Sequence, residues 1–210
     1  MSKIFTIVGT RPNIVKIDPK LPNQVIVNTG QHFDWNMNMS FFEDLELPKP
    51  KFNLYCKSSA IGKMTDKLTR LFQKEKPNMC LVFGDTNSSL AGALAAAYLN
   101  IPVVHIEAGL RSFNRKMPEE INRVIVDHLS DLLFTTEPAA NRNLIQEGIA
   151  EDKIKYVGNI MIESLETYSG LINQSEIISK FGITQKQYTV ATIHRAENTD
   201  NSEILEKILK

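Results

Sequence analysis

Apolar residues along this chain come in short unbroken runs, each followed at once by glycine or a small polar cluster. Ile4-Phe5-Thr6-Ile7-Val8 leads into Gly9-Thr10-Arg11-Pro12-Asn13. Residues 24–28 lead into Thr29-Gly30-Gln31-His32, and residues 79–83 into Gly84-Asp85-Thr86-Asn87-Ser88. Ile101-Pro102-Val103-Val104 leads into His105-Ile106-Glu107-Ala108-Gly109. Such runs read as strands of a parallel sheet buried on both faces. Between them the apolar spacing becomes helical. Met64, Leu68, Leu71 and Phe72 predict a helix over 62–75, and an Ala-rich buried helix follows over 89–99. Over 119–130 the predicted helix carries Ile121, Val124, Ile125, His128 and Leu129 on one face, with Pro118 as its start signal. Strands over 132–136 and 155–157 flank a helix over 139–147, stopped by Gly148. The first crossover is short, about one helical turn from Ile14 to Ile17 before Pro19 and Pro22 intervene. Residues 33–60 read as a helix near 35–45 and otherwise as loop.

Strand, loop and helix alternate to about residue 160, which predicts an α/β fold with a doubly wound parallel sheet. Helices over 160–172 and 175–181 lead away from it. A new strand over 188–193 and a helix over 202–210 follow. The expected organisation is a Rossmann-like domain over 1–165, a helical connection over 166–187, and the start of a second, truncated domain over 188–210. One strand and one helix cannot bury a core of their own.

Charge removes some functions from consideration. Lys plus Arg and Asp plus Glu both total 24, so no bulk field draws the chain to nucleic acid or to an acidic membrane. Any anion site must be built locally. The two cysteines, Cys56 and Cys80, have no metal-type neighbours and read as small buried thiols of a reduced, cytoplasmic protein. No signal peptide or membrane-length apolar run is evident.

The polar clusters at the strand ends carry the candidate chemistry. The segment after the first strand lacks the three-glycine dinucleotide spacing and the phosphate-loop Lys. It does offer Arg11, whose planar fork suits phosphate, with Lys16 one turn further on. A surface ion pair is the plain alternative for Arg11. Asp85 is a carboxylate at a strand end, and also a helix N-cap candidate beside Asn87 and Ser88. Glu107 ends its strand, with Arg111 as a possible ion-pair partner across a glycine turn. Glu119 begins a helix, where the dipole favours acidic residues for structural reasons alone. Of the four histidines, His128 reads as a core residue, His105 lies at a strand end, and His32 is placed to contact a ligand. His194 and Arg195 end the first strand of the second domain and would face a cleft. Their spacing is not that of metal ligands. Arg11, Asp85, Glu107 and His194 each follow a strand, and the ligand of an open α/β sheet lies at that edge. Cations and carboxylates gathered there suit a substrate with a phosphate leaving group and a proton to be moved.

The ordered set of Gly9-Thr10-Arg11-Pro12, Lys16, Thr29-Gly30-Gln31-His32, Gly84-Asp85-Thr86, His105 to Arg111, Pro118 to Arg123, Gly158-Asn159 and His194 to Asn198 resembles the non-hydrolysing UDP-N-acetylglucosamine 2-epimerases. The resemblance implies a GT-B-type fold of two Rossmann-like domains. It also implies reversible conversion of UDP-GlcNAc to UDP-ManNAc by elimination and re-addition of UDP. Carried over by motif, Asp85, Glu107, Glu119 and His194 are expected to be catalytic. Arg11, Lys16, Gln31, His32, Arg111 and Arg195 are expected to bind substrate. No cofactor or metal is implied, and the partner would be a second copy, since the family is generally dimeric. The family's later nucleotide-holding motifs do not occur, so little activity is expected of these 210 residues alone. Three alternatives stand beside this reading. One is the hydrolysing relative, which usually has an Asp-Tyr pair where this chain has Pro12-Asn13. The second is an epimerase of a diacetamido uronic acid nucleotide, with Asn13 and the short crossover as marks of a sub-branch. The third is a non-catalytic Rossmann-like module.

Overall fold

The computed structural model describes residues 2–184, 186–193 and 196–210, so His194 and Arg195 of the expected site lie outside the described residues. Two compact units are present, Met1–Ser169 and Gly170–Lys210. The first runs β1 (Ile4–Val8), α1 (Arg11–Ile14), β2 (Gln24–Asn28), α2 (Met39–Asp44), β3 (Phe52–Asn53), α3 (Ile61–Glu75), β4 (Met79–Phe83) and α4 (Asn87–Tyr98). It continues through β5 (Val103–Ala108), α5 (Pro118–Leu129), β6 (Leu132–Thr135), α6 (Pro138–Gln146), β7 (Ile154–Tyr156) and α7 (Ile160–Thr167). α8 (Ser169–Gln174) follows, and α9 (Ile177–Lys180), α10 (Ala196–Thr199) and α11 (Ser202–Leu209) lie in the second unit.

The seven strands form one sheet in the order β3-β2-β1-β4-β5-β6-β7, every pair parallel. This is the doubly wound α/β fold that the alternating pattern predicts. Strand order reverses between β1 and β4, which opens a crevice at their carboxyl ends. Alternate side chains of each central strand feed opposite cores. Phe5, Ile7, Cys80 and Val82 pack with Met64, Leu68 and Phe72 of α3 and the alanines of α4. Leu81 and Phe83 pack on the other face with Ile14, Ile17 and Phe42. β3 is two residues long and escapes a pattern reading because it has no apolar run of its own.

Three local expectations change. Residues 188–193 carry no strand among the described residues. Their β-branched residues favour extended backbone, but a strand exists only with a ladder partner. α5 does not bury the stripe of Ile121, Val124, Ile125, His128 and Leu129. Its buried residues are Glu120, Asn122, Val126 and Asp127, while Ile121 and Ile125 stay exposed. The polar residues can go inside because each finds partners there. Finally, the buried histidine is His105 and not His128, which lies on the exposed side of α5.

Gly109 fixes where the chain leaves β5. Its φ is +78°, and a Cβ there would sit 2.5 Å from the Ala140 carbonyl oxygen of α6. Left-handed strain and a backbone clash add, so Gly109→Ala is expected to cost about 3 kcal/mol. A urea titration checks this, and an unchanged midpoint contradicts the close approach.

Candidate active site

Glu107 lies inside β5 and not beyond its end. Its φ is +69°, and pairing with β6 slips there from Ile106↔Phe134 to Ala108↔Thr135. The bulge re-aims the Glu107 side chain, and its carboxylate pairs with Lys16. Both side chains are largely buried, 14% and 8% exposed. The expected partner, Arg111, is elsewhere. Its guanidinium is 1% exposed and is held by Asp127 at 2.7 Å and Glu147 at 2.6 Å. Arg111 is thus bound into the fold by two carboxylates. Gly84 completes the arrangement from the neighbouring strand. Its φ is +57°, and a Cβ on it would lie 3.1 Å from Glu107 Oε2.

Asp85 follows Gly84, so the two carboxylates flank one glycine. Asp85 is not the cap of α4: Thr86 is, its Oγ1 accepting from Ser89 N–H at 3.2 Å. The Asp85 carboxylate instead pairs with Arg123 of α5, and its carbonyl accepts from Asn122 Nδ2 at 2.9 Å. Glu119 begins the same helix and is exposed, and its side chain makes no hydrogen bond or ion pair among the described residues. Arg123, Asn122 and Asp127 are site-building residues that the apolar pattern missed. Glu119, Asn122 and Arg123 do stand at i, i+3 and i+4, so a search for polar helical spacing finds them. Glu120 is structural: it is buried and accepts from the Ser112 and Phe113 N–H groups at 2.8 and 3.0 Å.

The β1 side supplies cations and a polar floor. Asn13 is buried and its Nδ2 donates to the Phe83 carbonyl at 3.2 Å, while its Oδ1 accepts from the Thr10 and Thr86 hydroxyls. A carboxylate could accept from both hydroxyls but has no hydrogen for Phe83 O, which gives Asn a physical reason here. Gln31 Oε1 accepts from Ser88 N–H and Oγ at 3.0 and 2.8 Å. The first turn of α4 is thus occupied by side chains of the chain itself. Arg11 is exposed and has no carboxylate partner among the described residues. Its backbone N–H faces His32 Nδ1 at 3.4 Å, which puts the ring hydrogen of neutral His32 on Nε2.

Burial and then the Arg11 charge push the His32 pKa below its usual 6.5, against an opposing pull from Asp34. Arg11→Gln removes one of the two lowering effects. NMR titration of the ring is therefore expected to show a midpoint below 6.5 in the wild type and a higher one in the variant. A midpoint that does not move contradicts the proximity of the two groups.

An open cavity of ≈ 440 Å³ lies beside Glu107, lined also by Ile106, Phe134, Val157, Asn159 and Ile160. Among the described residues no three His, Cys, Asp or Glu side chains are grouped to hold a metal ion. No helix among them is long and apolar enough to cross a membrane.

A crevice at the switch point, two bulge- or turn-borne carboxylates and an exposed Arg thus share the carboxyl edge of the sheet. The model of a family described as UDP-N-acetylglucosamine 2-epimerase matches residues 16–210. The chain belongs to that family. A Methanococcus maripaludis protein named UDP-N-acetylglucosamine 2-epimerase homolog is 47% identical over 219 residues, covering 99% of this chain and 61% of its own length. A Pseudomonas aeruginosa protein named UDP-2,3-diacetamido-2,3-dideoxy-D-glucuronate 2-epimerase is 44% identical over 99% of the chain and 62% of its own length. In structure, the Methanocaldococcus jannaschii UDP-GlcNAc 2-epimerase, solved with UDP-GlcNAc and UDP, superposes with a TM-score of 0.88 at 43% identity. The match covers 99% of this chain and 60% of that one. The chain thus spans about three fifths of the length of these 2-epimerase relatives.

Proposed function

We propose that the protein interconverts UDP-GlcNAc and UDP-ManNAc at C2, without net hydrolysis. The observation that carries this reading is the placement of Asp85 directly after Gly84 and of the Glu107 carboxylate against Gly84, each carboxylate with a cation of its own. UDP leaves C1 with the bonding pair, and the ring develops positive charge that acidifies C2–H. A carboxylate accepts that proton, and the C–H pair closes the C1=C2 bond of a 2-acetamidoglucal. Return of the proton to the opposite face and of UDP to C1 completes the inversion. The steps are redox-neutral. Asp85, Glu107 and Glu119 are the proposed acid/base groups, with His194 as a fourth catalytic residue. Arg11, Lys16, Gln31, His32 and Arg195 are the proposed substrate contacts, of which Arg11 is the exposed cation suited to a diphosphate. In this reading residues 1–165 form the first Rossmann-like domain and 188–210 belong to a second, and the protein acts as a homodimer in the cytoplasm.

The Pseudomonas relative supports a second sugar, since its identity to the chain is 44%, against 43% for the Methanocaldococcus enzyme. The whole protein, incubated with UDP-GlcNAc and in parallel with UDP-2,3-diacetamido-2,3-dideoxyglucuronate, is followed by NMR of the anomeric protons. Growth of UDP-ManNAc to a constant ratio is expected in the first reaction. Turnover of the diacetamido substrate alone moves the proposal to that sugar. Stoichiometric free sugar and UDP contradict the non-hydrolysing reading.

A further inference from the structure

His105 lies within β5 and is fully buried. Its Nδ1 is 2.7 Å from Asp127 Oδ1, and its Nε2 is 2.9 Å from the Gly84 carbonyl oxygen. A backbone carbonyl only accepts, so Nε2 carries a hydrogen. Asp127 receives the Gly109 N–H, at 3.1 Å to Oδ2, and Arg111 Nη1 at 2.7 Å to the same oxygen. A carboxylate so placed is an ionised acceptor, and the ring nitrogen facing it carries a hydrogen as well. Both nitrogens of His105 are then donors, and the ring is an imidazolium.

The groups around the ring are Asp127 from α5, Arg111 from the loop after β5, and Glu147 at the end of α6. Glu107, two residues along β5, is already paired with Lys16. Glu147 is 28% exposed, so Asp127 is the fully buried carboxylate of the group, and a charged His105 and Arg111 face it together. Burial opposes ionisation of Asp127, but His105 and Arg111 prevail and hold its carboxyl below the usual range.

The imidazolium does not reach solvent, so its effect passes through Gly84. That residue is in the left-handed region, directly before Asp85 and against Glu107. We propose that His105, charged by Asp127, is a positioning residue for Asp85 and Glu107: its grip on the Gly84 carbonyl fixes the turn that carries one carboxylate and backs the other. The inference rests on the epimerase reading for its consequence, and on the ring contacts alone for its geometry. Asn122 and Arg123 hold the next residue of the same turn, so α5 clamps it at successive points.

Histidine ring ¹⁵N spectroscopy on the wild-type protein at pH 7 is expected to show two N–H groups on His105. Asp127→Asn keeps size and hydrogen bonding but removes the charge. The whole protein with this change is expected to show one ring N–H, a kcat for C2 exchange lower by about 10- to 100-fold, and a KM within about twofold. Glu147→Gln loosens Arg111 without touching His105. It is expected to lower the melting temperature and leave kcat unchanged, which separates positioning from stability. A single ring N–H in the wild type overturns the proposal, whether or not Asp127→Asn folds. So does a folded Asp127→Asn protein with wild-type kcat. If the wild type does not exchange C2–H at all, the epimerase reading fails, and the ring spectrum still decides the charge on His105.

Discussion

Glu107→Gln is expected to lower C2–H exchange by about 10²- to 10⁴-fold, the range that a positioned acid/base group contributes. The bulge holds residue 107 at a φ of +69° whatever its side-chain charge, so Gln occupies the same place with no carboxylate to accept or return a proton. The substitution has a second consequence. Lys16 is 8% exposed and loses its counter-charge, which costs about 3 kcal/mol when one partner of a buried pair is removed. Adding Lys16→Met removes the orphaned charge and is expected to recover most of that stability without recovering exchange. Chemical denaturation and exchange rates across the four proteins of the cycle separate the two effects. A single variant that keeps wild-type exchange contradicts a proton-transfer role for Glu107.

Arg111→Met is the largest stability change expected, about 3 to 5 kcal/mol, or a fall in melting temperature of about 10 °C. The guanidinium holds two carboxylates, and Asp127 has no route to water when it is lost. The effect depends on pH with a definite sign. Asp127 is depressed because His105 and Arg111 outweigh its burial. Glu120 is depressed because the Ser112 and Phe113 N–H groups and Arg123 outweigh its own. A depressed carboxylate stabilises the fold above its unfolded pKa and loses that contribution as pH falls through the folded value. Wild-type stability is therefore expected to drop below about pH 4. The gap between wild type and Arg111→Met closes over the same window, because a protonated Asp127 no longer needs the guanidinium. Thermal melts from pH 7 to pH 3 check this, and a constant gap contradicts it.

The residues concerned show what a chain of letters reveals. β1, β2 and β4 are legible because strands buried on both faces are apolar at nearly all their central positions. The edge of the sheet is legible for the same reason, since each run stops at a polar cluster. That places Arg11, Asp85 and Glu107 together without any knowledge of angles. What local pattern cannot supply is the partner of a polar residue. Arg111 stands beside Glu107 in sequence and pairs with Asp127 and Glu147 from two later helices. α5 looks amphipathic by its isoleucines, yet it buries Glu120, Asn122 and Asp127, because distant donors and acceptors satisfy them. His105 rather than His128 is buried, because Asp127 and the Gly84 carbonyl satisfy both its ring nitrogens. The segment over 188–193 fails for the opposite reason, since its letters favour a strand but no ladder partner is present among the described residues.

In the proposed reaction a proton leaves C2 of a nucleotide sugar at the carboxyl edge of β4 and β5. UDP-GlcNAc incubated with the whole protein in D₂O tests it most directly, read by loss of the C2 proton signal and by mass. The expected result is deuterium at C2 of both UDP-GlcNAc and UDP-ManNAc, abolished to within the stated factor by Glu107→Gln. Interconversion without deuterium at C2, or exchange indifferent to Glu107, contradicts it.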